Sequence, residues 1–124
     1  MSKKSKKSKK SKKIADFNDT ELWTIKSTLK ERYSEDVELE LADSEIRMSP
    51  ADRELTEVPV VVWKGRGSNF VIFKVGDNLY RGQFYYRGYQ QYGTGKPEYD
   101  EIGPCVVELL QVQADHESNE SSSK

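Results

Sequence analysis

Few residues in this chain have side chains suited to catalysis or metal binding. The sequence contains one cysteine, Cys105, and one histidine, His116. A Ser-His-Asp triad needs a positioned histidine and a structural zinc site needs several Cys or His ligands, so neither is expected. Cys105 at a helix N-terminus would have a lowered thiol pKa and could act as a nucleophile. A buried cysteine is the favoured alternative, because this residue type is among the most buried. We predict no catalytic, cofactor or metal site, and no enzyme.

The glycine-rich segment also lacks a nucleotide-binding motif. Thr94-Gly95-Lys96 resembles part of a P-loop, which requires a glycine five residues before Gly95 and Ser or Thr after the lysine. Gln90 and Pro97 occupy those positions. We therefore expect no bound nucleotide cofactor.

Charge is segregated along the chain, although the formal net charge is only −1. Residues 1–13 contain eight lysines and no acidic residue, which leaves 12 basic and 21 acidic residues in residues 14–124. A lysine-rich segment without apolar residues is expected to be disordered and to attract polyphosphates such as nucleic acids. The alternatives are weak contact with anionic lipid, or contact with the acidic remainder of the same chain.

No apolar run approaches the roughly 20 residues needed to cross a bilayer. The basic N-terminal run is not followed by the apolar stretch of a secretory signal. We predict a cytoplasmic protein without a membrane partner.

The first folded element is predicted to be a helix at about residues 19–34. Asn18 and Glu21 have the spacing of a capping box, and Phe17 and Leu22 that of a hydrophobic staple. One apolar stripe at spacings of three and four residues supports the helix: Leu22, Ile25, Leu29 and Tyr33.

Alternating side chains predict β-strands after this helix. Val37 to Leu41 alternates with glutamates, and a turn or bulge is expected at Asp43-Ser44 because Ile46 and Met48 continue with shifted parity. A meander follows over residues 58–87, with strands at 58–64, 70–75 and 79–87. Residues 88–103 read as a loop. Residues 104–115 fit a helix or a strand, and we favour the helix.

These elements predict an α+β fold in residues 14–115. The N-terminal helix packs on an antiparallel sheet of four or five strands, and a short C-terminal helix closes it. Residues 1–13 and the polar residues 116–124 are expected to be disordered tails.

The turns predict the register of the meander. A two-residue turn at Asp77-Asn78 would place Val75 opposite Tyr80, Phe73 opposite Gly82 and Lys74 opposite Arg81. The preceding turn would place Val62 opposite Val71 and Val60 opposite Phe73. In this register the main core comprises Val60, Val62, Val71, Phe73, Val75, Tyr80 and Phe84. The other face would carry Val61, Trp63, Phe70, Ile72, Lys74, Arg81, Tyr85 and Arg87.

Two surfaces follow from this register as candidate binding sites. Trp63, Phe70 and Tyr85 would form an aromatic surface for a partner, together with Tyr89 and Tyr92 of a tyrosine- and glycine-rich loop. Lys74, Arg81 and Arg87 would form a basic patch for anions or nucleic acid. The alternative is that a helix covers Trp63, Phe70 and Ile72.

The sequence therefore predicts a non-enzymatic binding domain that contacts a protein partner or a second copy of itself. In the alternative hypothesis it binds nucleic acid through the lysine-rich segment and the Arg81/Arg87 face.

Overall fold

A five-stranded antiparallel sheet and two helices make up the part of the chain that the structure, a computed structural model, describes. The described residues are 14–48, 51–65, 67–86, 91–94 and 96–122. The predicted α+β architecture is confirmed, and the lysine-rich residues 1–13 lie outside the described residues. The elements are α1 (Asp19–Tyr33), β1 (Glu40–Ile46), β2 (Thr56–Gly65), β3 (Ser68–Gly76), β4 (Leu79–Tyr85), β5 (Gln91–Gly93) and α2 (Ile102–Ser122). The sheet has the strand order β1-β2-β3-β4-β5.

Helix α1 begins with the predicted capping box. The side chain of Asn18 accepts a hydrogen bond from the backbone N–H of Glu21 at 2.8 Å. The Glu21 carboxylate accepts one from the backbone N–H of Asn18 at 2.7 Å. At the other end Ser34 has a left-handed backbone (φ 59°), and its N–H donates to the Lys30 carbonyl at 2.8 Å. The helix bounds therefore follow from local capping chemistry.

Strand β1 is continuous where a turn or bulge was expected. Its pairing with β2 runs without a break from Glu40 opposite Val62 to Ile46 opposite Thr56, so the prediction at Asp43-Ser44 was wrong. The strand is largely exposed. Apolar and polar residues alternate along a strand when one of its faces is buried. Because β1 has no buried face, the shifted parity of Ile46 does not indicate a turn.

Helix α2 extends beyond its predicted bounds. Of the two alternatives for this segment, the favoured helix is confirmed and the strand is not. The helix runs from Ile102 to Ser122 rather than over 104–115. Residues 116–122, expected to belong to a disordered polar tail, are helical. The His116 ring lies 4.4 Å from the Tyr92 ring centroid and 5.5 Å from that of Tyr86. These contacts continue the packed surface of the helix past residue 115.

The predicted register holds for one hairpin and fails for the next. Val62 pairs with Val71 as predicted. Between β3 and β4 the register shifts by one residue between Lys74 and Gly76, which is typical of a β-bulge. Phe73 therefore pairs with Arg81 instead of Gly82, and Lys74 does not lie opposite Arg81. The predicted Val75 and Tyr80 pair is lost for the same reason.

The two faces of the sheet are covered differently, and the predicted core divides between them: Tyr80 and Phe84 lie under the helices, whereas Val60, Val62, Val71, Phe73 and Val75 lie on the opposite face. Both helices pack on one face, here called the helix-covered face. Its core joins Val61, Trp63, Phe70, Ile72, Tyr80 and Phe84 to Ile25, Leu29, Cys105, Val106, Leu109 and Leu110. The opposite face, here called the open face, carries a smaller cluster that contains no residue of either described helix. Its members are Ile14, Val58, Val60 and Val75, with Ile46, Met48, Val62, Val71, Phe73 and Leu79 packed against them.

Gly82 explains why α2 lies on the helix-covered face. A Cβ atom at this position would lie 3.3 Å from Leu109 Cδ2 and 3.4 Å from Cys105 Sγ. Glycine thus gives the helix room to approach β4 closely.

Candidate functional site

The aromatic residues predicted to contact a partner do not share one surface. Trp63 and Phe70 stack with ring centroids 5.3 Å apart and are 2 % and 0 % exposed. Both belong to the core under the helices. Tyr85 is half-buried and lies on the open face, where it pairs with Asn69. This placement corrects the prediction of a joint Trp63-Phe70-Tyr85 surface.

The predicted basic patch is separated in the same way. Lys74 is 3 % exposed and points to the helix-covered face, opposite Tyr80. Arg81 lies on the open face, and Arg87 lies outside the described residues. The structure therefore does not bring Lys74 and Arg81 together as an anion-binding pair.

Lys74 instead belongs to a buried polar cluster at the start of α1. Its Nζ donates to Glu21 Oε1 at 3.0 Å and to the Asp16 carbonyl at 3.1 Å. The Tyr80 hydroxyl donates to Glu21 Oε2. Glu21 is 5 % exposed, so both of its carboxylate oxygens have partners inside the protein. The sequence showed the cap formed by Glu21 but not its partners in the sheet.

The protonation states of this cluster are set by burial and by its own hydrogen bonds. Burial alone would raise the pKa of Glu21, but hydrogen bonds from Tyr80, the Asn18 backbone and Lys74 hold that pKa below its usual value. Burial and the neighbouring Glu21 carboxylate raise the pKa of Tyr80. The cluster therefore consists of a carboxylate, an ammonium and a neutral phenol that fasten α1 to β3 and β4.

Cys105 is a core residue, as the favoured interpretation predicted. Its side chain is buried against the sheet, and burial raises the pKa of the thiol to about 12. A thiol with so high a pKa is protonated at neutral pH and is a poor nucleophile. Among the residues that the structure describes, no group of three or more His, Cys, Asp or Glu side chains could hold a metal ion.

The open face presents apolar side chains beside one anchored arginine. Val62, Val71 and Phe73 are half-buried there and belong to adjacent strands β2 and β3. Arg81 donates to Glu98 through Nε at 3.2 Å and Nη2 at 2.9 Å, and to the Met48 carbonyl at 3.0 Å. A shallow groove of about 330 Å³ lies beside them, lined by Ser44, Ile46, Arg47, Phe73, Arg81 and Gln83.

Sequence reasoning missed Val62, Val71 and Phe73 as surface residues because the wrong β3–β4 register placed Tyr80 and Phe84 on their face, which therefore read as the core. Gly82 marks the face that bears the helix, since a strand glycine admits the close approach of another backbone, but it identifies that face only once the bulge near Val75 has set the register.

The tyrosine-rich segment is not one long loop. It contains β5, and Tyr99 forms a bridge with Tyr80 through two backbone hydrogen bonds of 2.8 Å. Tyr92 packs on Phe84 with ring centroids 5.2 Å apart. Tyr89 lies outside the described residues. Tyr92 is only half-buried and keeps part of its ring exposed near the second helix.

A further groove, here called the acidic groove, lies between the residues after α1 and the end of β2. It has a volume of about 420 Å³. Most of its charged lining residues are acidic, and Trp63 contributes to its wall. The lining comprises Glu35, Asp36, Val37, Glu38, Glu40, Val62, Trp63, Lys64 and Asn69.

Comparisons of this chain with protein-family models, with curated proteins and with solved structures give no match. Neither described helix is long and apolar enough to cross a membrane.

Proposed function

We propose that this chain is a non-enzymatic interaction domain whose open face binds a protein partner. The supporting observation is the set of half-buried residues Val62, Val71 and Phe73 on a face where no described helix packs. The uncovered face of an antiparallel sheet normally carries outward polar residues, whereas here apolar residues take several of these positions. Burying them against a partner would contribute roughly 25 cal/mol per Å² of apolar area.

The charges around this face define the chemistry of the partner. Arg81 is already paired with Glu98, and Lys74 is buried with Glu21. Glu40 lies opposite Val62 and places a carboxylate beside the apolar residues. Residues 14–124 carry 21 acidic and 12 basic residues. The partner that fits is a protein with an apolar patch flanked by basic side chains, since rim charges steer association and select partners.

The nucleic-acid hypothesis has less support from the same geometry. It required Arg81 and Arg87 on one exposed face, but Arg81 is held by Glu98 and the Met48 carbonyl. The lysines of residues 1–13 remain its sequence support. That hypothesis predicts oligonucleotide binding with a steep salt dependence.

One substitution in the open face tests the proposal. Val71→Lys puts an ammonium group among the apolar residues and should weaken partner binding by about tenfold or more, as expected for a central interface position. Val107→Lys is the matched control, because Val107 is exposed on α2. Wild-type protein and both variants are immobilised as full chains, and the proteins they retain from an extract are compared.

The retained proteins count only if they bind again as purified proteins in calorimetry. Partners kept by the wild type and by Val107→Lys but lost by Val71→Lys support the proposal. Thermal unfolding checks that both variants fold. Identical retention by all three proteins would refute it. If sedimentation shows a homodimer that Val71→Lys dissociates, a second copy of the chain is the partner of the open face. If the only ligand found is an oligonucleotide whose binding weakens steeply with salt, the nucleic-acid hypothesis is favoured.

A further inference from the structure

We propose that the acidic groove binds a lysine-rich peptide segment, and that its occupant is residues 3–13 of the same chain. The groove adjoins the open face, with which it shares Glu40 and Val62, but its proposed occupant does not depend on the protein-partner proposal. It would give the chain an internal ligand for its most basic segment.

The charge of the groove complements that of the segment. Residues 35–45 contain six acidic residues and no basic residue. Glu35, Asp36, Glu38 and Glu40 line the groove with exposed side chains. Asp36 already attracts an exposed ammonium, since Lys30 Nζ lies 3.4 Å from its carboxylate. The candidate occupant carries eight lysines within eleven residues and no acidic residue.

The wall of the groove also holds a buried hydrogen-bond donor without an acceptor. Trp63 lines it while being 2 % exposed, and its indole N–H has no partner in the described part of the chain. An indole N–H can only donate, and a buried donor without a partner is unfavourable. A peptide backbone lying in the groove supplies carbonyl acceptors as well as lysine side chains for the carboxylates.

The chain enters the domain within reach of this groove. Ile14 packs against Val58, Val60 and Val75, and a cleft of about 300 Å³ separates Asp16 and Phe17 from Leu41, Ala42 and Asp43 of β1. At about 3.3 Å per residue, Glu38 lies within roughly 17 Å of Asp43 along the chain. An extended eleven-residue segment spans up to roughly 36 Å, so residues 3–13 reach the groove with length to spare.

Trypsin cleavage of the full chain measures whether residues 3–13 are docked. Asp36→Asn, Glu38→Gln and Glu40→Gln together remove three groove charges. Glu101→Gln, just before α2, and Glu108→Gln and Glu117→Gln within it remove three exposed charges and form the α2 control. At low salt the groove variant should lose its N-terminal lysines several-fold faster than the wild type and the control. In about 1 M salt, where the Debye length is about 3 Å, the three rates should converge.

A second measurement uses Trp63 as the reporter. Trp23 is 68 % exposed, so Trp23→Phe leaves Trp63 as the only indole of the chain without disturbing the core. The emission of Trp63 should change as salt rises in this background and should not change when the groove charges are removed.

The outcomes separate the possible occupants. Protection that is independent of protein concentration and is lost in the groove variant alone supports the proposal. Equal loss in the α2 control would show general attraction to an acidic surface and would overturn it. Protection that grows with protein concentration would assign the groove to a second copy. Lysines cleaved equally fast in all three proteins at low salt would also refute docking.

Discussion

The two faces of the sheet resemble each other in composition and differ in what covers them: both described helices pack on one, and the other buries Val58, Val60 and Val75 without a helix. Trp63, Phe70 and Ile72 are fully covered on one face, whereas Val71 and Phe73 on the other remain half-exposed. Apolar side chains alone therefore did not reveal which face the helices cover. The distinguishing residue is Gly82, whose missing side chain admits Leu109 and Cys105 of α2.

The ion pairs of the two faces show the same contrast. Lys74 and Glu21 are buried together, with the ammonium 3.0 Å from the carboxylate. Arg81 and Glu98 are similarly close at 2.9 Å but remain partly exposed to solvent. Similar geometry in different surroundings predicts different energetic consequences.

The largest expected effect comes from removing the buried cation. Lys74→Met leaves the Glu21 carboxylate buried without its counter-charge and should lower the free energy of unfolding by about 3–5 kcal/mol. Arg81→Met removes the partly exposed pair and should lower it by about 1 kcal/mol or less. Urea unfolding of the full chain measures both values. Equal losses for the two variants would contradict the assigned difference between the faces.

A smaller effect is expected from adding one methyl group at Gly82. In Gly82→Ala the new Cβ would lie 3.3 Å from Leu109 Cδ2 and 3.4 Å from Cys105 Sγ, so these packed side chains must give by a few tenths of an ångström, at a cost of about 1 kcal/mol. Gly93→Ala is the control, because its Cβ would meet nothing closer than the Gly82 carbonyl oxygen at 3.9 Å. The midpoint of thermal unfolding should drop for the first variant only. Equal midpoints for the two variants would contradict tight packing of Leu109 and Cys105 against Gly82.

The smallest effect on the free energy of unfolding is expected from protonation of Glu21. The cost of burying the carboxylate offsets part of the stabilisation that its hydrogen bonds provide. The pKa of Glu21 is lowered from its ordinary value near 4.5 in the folded chain. Its contribution to stability is therefore complete above that value and is lost as the pH falls through the folded pKa. The stability difference between wild type and Glu21→Gln should narrow in this acidic range when unfolding is followed against pH. A difference that stays constant down to the lowest pH would contradict the assignment.

Local features of the sequence predicted local structure well. Asn18 and Glu21 are three residues apart, so the start of α1 follows from short-range capping chemistry. The register of Val62 and Val71 followed from a single turn. These parts of the fold need no knowledge of distant residues.

The features that the sequence did not reveal depend on long-range contacts. One extra residue near Val75 reversed the faces of the β3–β4 hairpin, because a slip of one residue moves every side chain to the other side. This error put Tyr80 and Phe84 of β4 on the face of Phe73, so that face was taken as the core and Trp63 and Phe70 were left at a surface. The partnership of Glu21 with Lys74 joins residues 53 positions apart, and no pattern along the chain announces it.

The Glu21 carboxylate accepts hydrogen bonds both within α1 and from the sheet, which has a consequence for the order of folding. It caps the first turn of α1. It also accepts hydrogen bonds from Lys74 and Tyr80, which lie on the two strands of the β3–β4 hairpin, distant in sequence. An isolated helix of 15 residues is only marginally stable in water, so α1 gains much of its stability only when that hairpin forms. Helix docking and hairpin closure should therefore occur as one cooperative event, and a chain cut before β3 would leave the helix frayed.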